Sequence, residues 1–218
     1  MDVLETLEKR GGILRDHHFV YKKGGHGPHY INADAIFPDT GLMQQVGFAL
    51  GDPFFRDQVE VVIAAATGGI PVEVHTALSL GDGKRWPYPN TVWADKLDKD
   101  EFVFERAGYA ELLEGKRVLF VEDILNSGDT TRKVIAQARK HGAEVLGVSA
   151  ICNRGKETAE SLGVPRFVAL SSVDFQVFDA DTCPLCADTI PIVSDIGHGK
   201  EYQEAHPDYA GGYVTVLS

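Results

Sequence analysis

The chain has 218 residues, 44% of them hydrophobic and 24% charged, which suits one globular core of ordinary composition. Its 32 acidic against 21 basic residues leave a formal charge of −11, which argues against a broad nucleic-acid or anionic-membrane surface but not against phosphate held locally by a few placed donors. The N-terminus has no apolar leader pattern, no long uncharged run follows, and Cys152, Cys183 and Cys186 are too few for a disulfide framework, so a cytoplasmic protein without a membrane span is expected.

Residues 1–10 carry a short amphipathic pattern that Gly11 and Gly12 close, predicting a first helix. The segment GILRDHHFVYKKGGHGPHYINAD then mixes strand-like alternation with a glycine-rich turn. VEVVIAAA is a buried-strand run leading into the turn Thr67-Gly68-Gly69, and IPVEVHTALSL has helical character. NTVWAD and FVFERAGY are predicted strands around the polar turn KLDKDE. KRVLFVED is another buried strand, followed by the turn NSGD and a helix, TTRKVIAQARKHG, that stops at Gly142. AEVLGVSAICNR should form a further strand, KETAESLG a helix and PRFVALSSV the last core strand, while the chain after Val173 shows no assignable pattern. Apolar runs alternating with helices predict an α/β domain with a mostly parallel sheet flanked by helices. Ligands in such folds sit where strand ends lead into helices, which selects the loops AATGG, EDILNSGDTT and CNRGK.

The middle loop holds most of the chemistry. An apolar strand ends in Glu122 and Asp123, two carboxylates that would be costly to bury without a polar partner. Asn126, Ser127, Gly128, Asp129, Thr130 and Thr131 then open a helix, offering hydroxyls and free N–H groups to a phosphate. A plain strand end with Ser127 or Asp129 as an N-cap is the alternative reading of the same residues.

The run VLFVEDILNSGDTT resembles the binding motif for phosphoribosyl pyrophosphate (PRPP) of type I phosphoribosyltransferases. The resemblance implies that Glu122 and Asp123 contact the ribose hydroxyls while Asn126 to Thr131 wrap the 5′-phosphate. Asp129 departs from that pattern, since a carboxylate beside a phosphate is unfavourable, and it is expected to point away and cap the helix. AAATGGIPVEV is similar to the pyrophosphate loop of the orotate-specific branch, with Thr67, Gly68 and Gly69 as ligands. Lys96 stands where that branch has a basic PRPP ligand of the catalytic machinery, and Arg106 corresponds loosely to a second basic group. Both could simply be solvated surface charges, and the longer mobile loop of some members is absent.

FVYKKGGHGPHYIN resembles the base-binding segment, which implies that Lys22 approaches the base and Tyr30 stacks near it. Gly27 replaces a usual serine there. Arg154 in CNRGK stands where the family pairs an arginine with the orotate carboxylate. CPLC (183–186) has metal-ligand spacing, but with His198 and His206 it matches no common zinc module. The same tail recurs in orotate-type enzymes, so it is taken as packing, and no protein side chain is assigned to a metal.

The resemblance implies a single type I phosphoribosyltransferase-like domain over 1–218, with a small hood from about 12–40 and 174–218. It further implies a homodimer that binds PRPP and orotate, with Mg2+ held mainly by PRPP, and makes orotidine 5′-monophosphate and pyrophosphate for pyrimidine biosynthesis. Two rivals stay open: transfer to another nucleobase, and a non-catalytic PRPP-binding regulator.

Overall fold

The computed structural model describes residues 2–84, 86–97 and 101–216. Helix α1 (Val3–Lys9) is followed by four two-residue strands, β1 (Ile13–Leu14), β2 (Phe19–Val20), β3 (His26–Gly27) and β4 (Tyr30–Ile31). Next come α2 (Thr40–Gly51), β5 (Val61–Ala65), α3 (Gly69–Leu80), β6 (Asn90–Lys96), β7 (Phe102–Val103) and α4 (Tyr109–Leu113). The second half of the sheet region holds β8 (Arg117–Leu125), α5 (Asp129–Lys140), β9 (Glu144–Asn153), α6 (Ala159–Leu162) and β10 (Phe167–Ser172). The C-terminal segment adds α7 (Pro184–Ala187), β11 (Ile192–Val193), α8 (Gly199–Ala205) and β12 (Tyr213–Val214). Among the described residues no helix is long and apolar enough to cross a membrane.

Two compact units result, one built on Ala33–Val173 and the other on Thr6–Asn32 with the chain from Asp174. The first contains a six-stranded sheet in the order β10-β9-β8-β5-β6-β7, parallel except for the β6–β7 edge pair. Its central strands are buried on both faces: Val118, Leu119, Phe120 and Val121 are fully enclosed, as are Val61 to Ala64. Phe120 and Val118 join Val134, Ile135 and Ala138 of α5 in one core, so the parallel sheet is covered as its composition requires. Strand order runs outward from β5 in one direction and from β8 in the other. The loops after these two strands therefore open at the point where the order reverses, where open α/β sheets bind ligands.

Several predicted elements shorten. FVFERAGY forms a strand only at Phe102–Val103, and Tyr109 already belongs to α4. KETAESLG is helical only at Ala159–Leu162, because the Thr158–Ser161 capping box fixes its start and Gly163 its end. Of the turn KLDKDE, residues 98–100 lie outside the described residues. Helix α2 has no counterpart among the predicted elements. Asp39 caps it by accepting from Leu42 N–H at 2.9 Å, and Gly47 lets it pack against α3, since a Cβ there would meet the backbone carbon of His75 at 2.4 Å.

Glu73 of α3 is sealed under the sheet, its carboxyl against the backbone of Ala64, and burial pushes its pKa up to about 8. A carboxyl whose pKa is raised from 4.5 to about 8 on folding stabilises fully below the lower value and loses that contribution as pH rises through the upper one, on the order of 5 kcal/mol in all. Thermal melts of wild-type protein should therefore fall between pH 5 and pH 8, by roughly 10 °C. Glu73→Gln should flatten that dependence; an unchanged slope would show that Glu73 is not its source.

Candidate active site

Strand β8 delivers Glu122 and Asp123 to its C-terminal end, and the turn 126–128 follows directly. Burial, and then the neighbouring charge of Asp123, hold Glu122 well above the ordinary carboxylate range. Asp123 is raised by burial as well, offset by the Ile124 N–H, which donates to its carboxylate at 2.7 Å. Glu122 and Asp123 are hydrogen-bonded to each other, and Asp34 adds a third negative charge facing Asp123. Such a crowded acidic pair is arranged to receive hydroxyl donors or a cation.

The loop after β5 touches the same pair. A Cβ on Gly68 would lie 2.6 Å from an Asp123 carboxylate oxygen, so glycine brings the Thr67–Gly69 backbone against the acids. The Ala66–Thr67 peptide is cis. Gly69 opens α3 directly over Ala64, so the loop ends at a helix N-terminus. Lys96, exposed at the end of β6, lies two residues beyond Ala94, the register partner of Ala65, and so at the level of Thr67. Arg106 is committed elsewhere: its guanidinium donates to both Asp95 oxygens at 2.8 and 2.9 Å and lies 4.9 Å from the Trp93 ring centroid.

The turn is built differently from the sequence expectation in two respects. Asp129 does not cap α5. Gly128 is the N-cap, with φ +66, and the Asp129 carboxylate accepts from the Ser127 hydroxyl at 3.0 Å and from Arg132 at 2.7 Å. Thr131 is fully buried with its hydroxyl near Glu122, so it does not face outward as a phosphate ligand. Asn126, Ser127 and Thr130 keep some exposure.

Arg132 and Glu157 were not singled out in the sequence, yet they organise the turn. Arg132 donates to Asp129, to the Ser127 carbonyl, and to Glu157 at 3.0 Å. Glu157 in turn accepts from the Ser161 hydroxyl at 2.6 Å, and its backbone is clamped by the Asn153 amide at 2.9 and 3.1 Å. Their position gives a weak signal, because i,i+3 spacing of Asp129 and Arg132 is common on helices. The loop after β9 is thereby tied to the phosphate turn. Gly155 makes that contact possible, since a Cβ there would sit 1.4 Å from the Asn126 carbonyl oxygen. Arg154 lies in the same loop, with its backbone N–H on the Leu125 carbonyl and its guanidinium 3.4 Å from the Asn126 side-chain oxygen.

In the other unit, Lys22 is exposed in the β2–β3 turn and Tyr30 is half-buried on β4, its ring 5.5 Å from Phe19 and 6.5 Å from Tyr21. Gly27 replaces the expected serine for a steric reason: a Cβ there would meet the Tyr21 hydroxyl at 2.4 Å and the Gln176 carbonyl at 2.6 Å. The histidines beside the CPLC cysteines are His18 and His26, not the His198 and His206 of the sequence reading. His198 lies 3.6 Å from Glu201, and His206 stacks on Tyr202.

Comparison with known proteins bears on this geometry. Residues 32–185 match the phosphoribosyl transferase domain family. An orotate phosphoribosyltransferase of Thermus thermophilus is 32% identical over 192 residues, covering 88% of this chain and 98% of the relative. The crystal structure of orotate phosphoribosyltransferase from Aeropyrum pernix superposes with a TM-score of 0.61 at 23% identity, over 79% of this chain and 94% of that one. Adenine phosphoribosyltransferase from Thermoanaerobacter pseudethanolicus gives 0.59 at 17% identity, over 78% and 99%. The shared fold accordingly does not choose the base, and that choice rests on the sequence relationship and on particular side chains.

Proposed function

The chain belongs to the phosphoribosyltransferase family, and from that premise we propose that it transfers the phosphoribosyl group of PRPP to orotate, giving orotidine 5′-monophosphate and pyrophosphate. The observation that carries the reading is the meeting of three loops at the strand-order reversal, with the Glu122–Asp123 pair between the glycine loop and the phosphate turn.

In the reaction the bond from the ribose C1 to the pyrophosphate oxygen breaks and a bond to the base nitrogen forms, through an oxocarbenium-like state. Glu122 and Asp123 accept from the ribose hydroxyls and place negative potential beside the developing positive charge. The N–H groups and hydroxyls of 126–130 hold the 5′-phosphate, with the Asp129 charge already met by Arg132. Thr67, Gly68, Gly69 and Lys96 hold the pyrophosphate; Arg106 could join them only by releasing Asp95. The oxygen-only acidic pair fits a hard divalent cation such as Mg2+, and Glu122 and Asp123 would be the protein groups to hold it beside PRPP. Such an ion would supply neutralisation of charge on the leaving group. Lys22 and Tyr30 are assigned to the base by resemblance. Orotate ionised at the reacting ring nitrogen brings no N–H proton to remove, so with that form as the nucleophile the protein contributes position and field rather than proton transfer.

Arg154 is the residue that selects orotate, because a guanidinium grips a carboxylate that purines lack. Arg154→Ala should raise the orotate KM by about 100-fold while changing PRPP affinity less than about threefold. Equal loss of both in steady-state kinetics and PRPP titration would remove that assignment. Pyrophosphate release from PRPP and magnesium with a panel of bases tests the whole reading: release with orotate alone supports it, release with another base moves the specificity, and binding without turnover leaves a PRPP sensor. A homodimer belongs to the same reading; exposed Phe48, Val74 and Leu78 on α2 and α3 offer apolar surface for a second copy, and sedimentation would read the state.

A further inference from the structure

We infer that this chain carries a structural zinc site, remote in chemistry from phosphoribosyl transfer, formed by His18, His26, Cys183 and Cys186. The four ligand atoms lie within 4.8 Å of one another, and three of the four side chains are buried. His18 Nε2 is 2.9 Å from His26 Nδ1 and 3.7 Å from each sulfur, while Cys186 Sγ is 3.3 Å from His26 Nδ1. A tetrahedral zinc ion with bonds of about 2.3 Å to sulfur and about 2.0 Å to nitrogen sets ligand-to-ligand edges of about 3.3–3.8 Å. The cluster is therefore already close to the size of a closed four-ligand site.

Its surroundings point the same way. His18 Nδ1 lies 2.9 Å from the Ile190 carbonyl, which can only accept, so the ring proton is on Nδ1 and the Nε2 lone pair faces the other three groups. One lone pair cannot satisfy an imidazole and two thiols that all converge on it, whereas one cation can accept from all four. Cys183 and Cys186 reach it together because Cys183 is the N-cap of α7 and Cys186 sits one turn on. Backbone pairing independently sets the histidines: His18 bridges to Ile192, and His26 exchanges hydrogen bonds with Phe178, both at 2.8 Å.

Binding would displace the two thiol protons, leaving two thiolates, two neutral imidazoles and Zn2+, a formally neutral group that suits burial. Soft thiolate with imidazole selects zinc over magnesium, so this site and the oxygen-only acidic pair would not compete for one metal. The ion would clamp segments 165 residues apart in the chain and fix the β2–β3 hairpin, whose turn holds Lys22.

The test is metal analysis of the full-length protein, purified reduced and incubated with zinc chloride. About one tightly held zinc per chain is expected, lost in Cys186→Ala and in His18→Ala but kept in His198→Ala and His206→Ala. Cobalt exchanged into wild-type protein should give the visible bands of tetrahedral cobalt with a sulfur charge-transfer band, a readout that requires no variant to fold. A zinc content below about a tenth per chain with no such spectrum, or zinc retained in a folded Cys183→Ala, Cys186→Ala double variant, would overturn the site. Neither readout depends on transferase activity, so its outcome is separate from that of the orotate assay.

Discussion

Gly155→Ala should cost the protein about 3 kcal/mol and lower its Tm by roughly 6–12 °C. A methyl group 1.4 Å from the Asn126 carbonyl oxygen and 2.4 Å from its carbon cannot be accommodated by a side-chain rotation, because both obstacles are backbone. The loop must withdraw, breaking the hydrogen bonds from Arg154 and Gly155 N–H to the Leu125 carbonyl at 2.8 and 3.2 Å. Asn126 and Ser127 would shift with it, so PRPP affinity should fall at least about tenfold in a calorimetric titration with magnesium, well beyond the loss expected from instability alone at 25 °C. A variant that melts and binds like wild type would show that the two loops do not meet this closely in solution.

Arg132→Met should act more on the ligand than on the fold. The pair with Asp129 is nearly half-exposed and contributes only about 0.5–1 kcal/mol, but Glu157, with 13% of its side chain exposed, would lose its main cation at a cost of about 2 kcal/mol. The greater effect falls on PRPP. An uncompensated carboxylate at Asp129 repels a phosphate bound by the same turn; unit charges roughly 6 Å apart cost on the order of 2–3 kcal/mol at an effective dielectric near 20, and solvent screening of this nearly half-exposed group lowers that, so the PRPP KM should rise about 10-fold. Adding Asp129→Asn to the same protein should recover most of that loss, and the double-mutant cycle measures the coupling. If Asp129→Asn restores nothing, the arginine serves some other purpose than screening that charge.

The pattern of what the sequence revealed follows from where the information lies. Strands β5, β8 and β9 were readable because burial on both faces leaves continuous apolar runs, such as VVIAA and VLFV. The acidic pair and the phosphate turn were readable because they are contiguous. Helix α2 was not, since its three glycines mimic a loop, and the reason for Gly47 is the backbone of another helix. FVFERAGY looked like a longer strand than it is, because local alternation carries no information about where a pairing partner ends. Arg132 with Glu157, and His18 with His26 beside the CPLC turn, depend on contacts between distant stretches, for which a single sequence offers no periodicity. The CPLC spacing with His198 and His206 matches no common zinc module, and the resemblance makes that tail a packing feature, so the chain order alone gives no pointer to His18 and His26.

The charge triplet of Asp129, Arg132 and Glu157 also constrains how relatives of this protein can drift. A glycine at position 129 would leave the arginine answering only Glu157, while an arginine lost first would strand two acids beside the phosphate seat. Substitution at 132 is therefore free only after, or together with, change at 129. Lineages that keep Asp129 should keep Arg132.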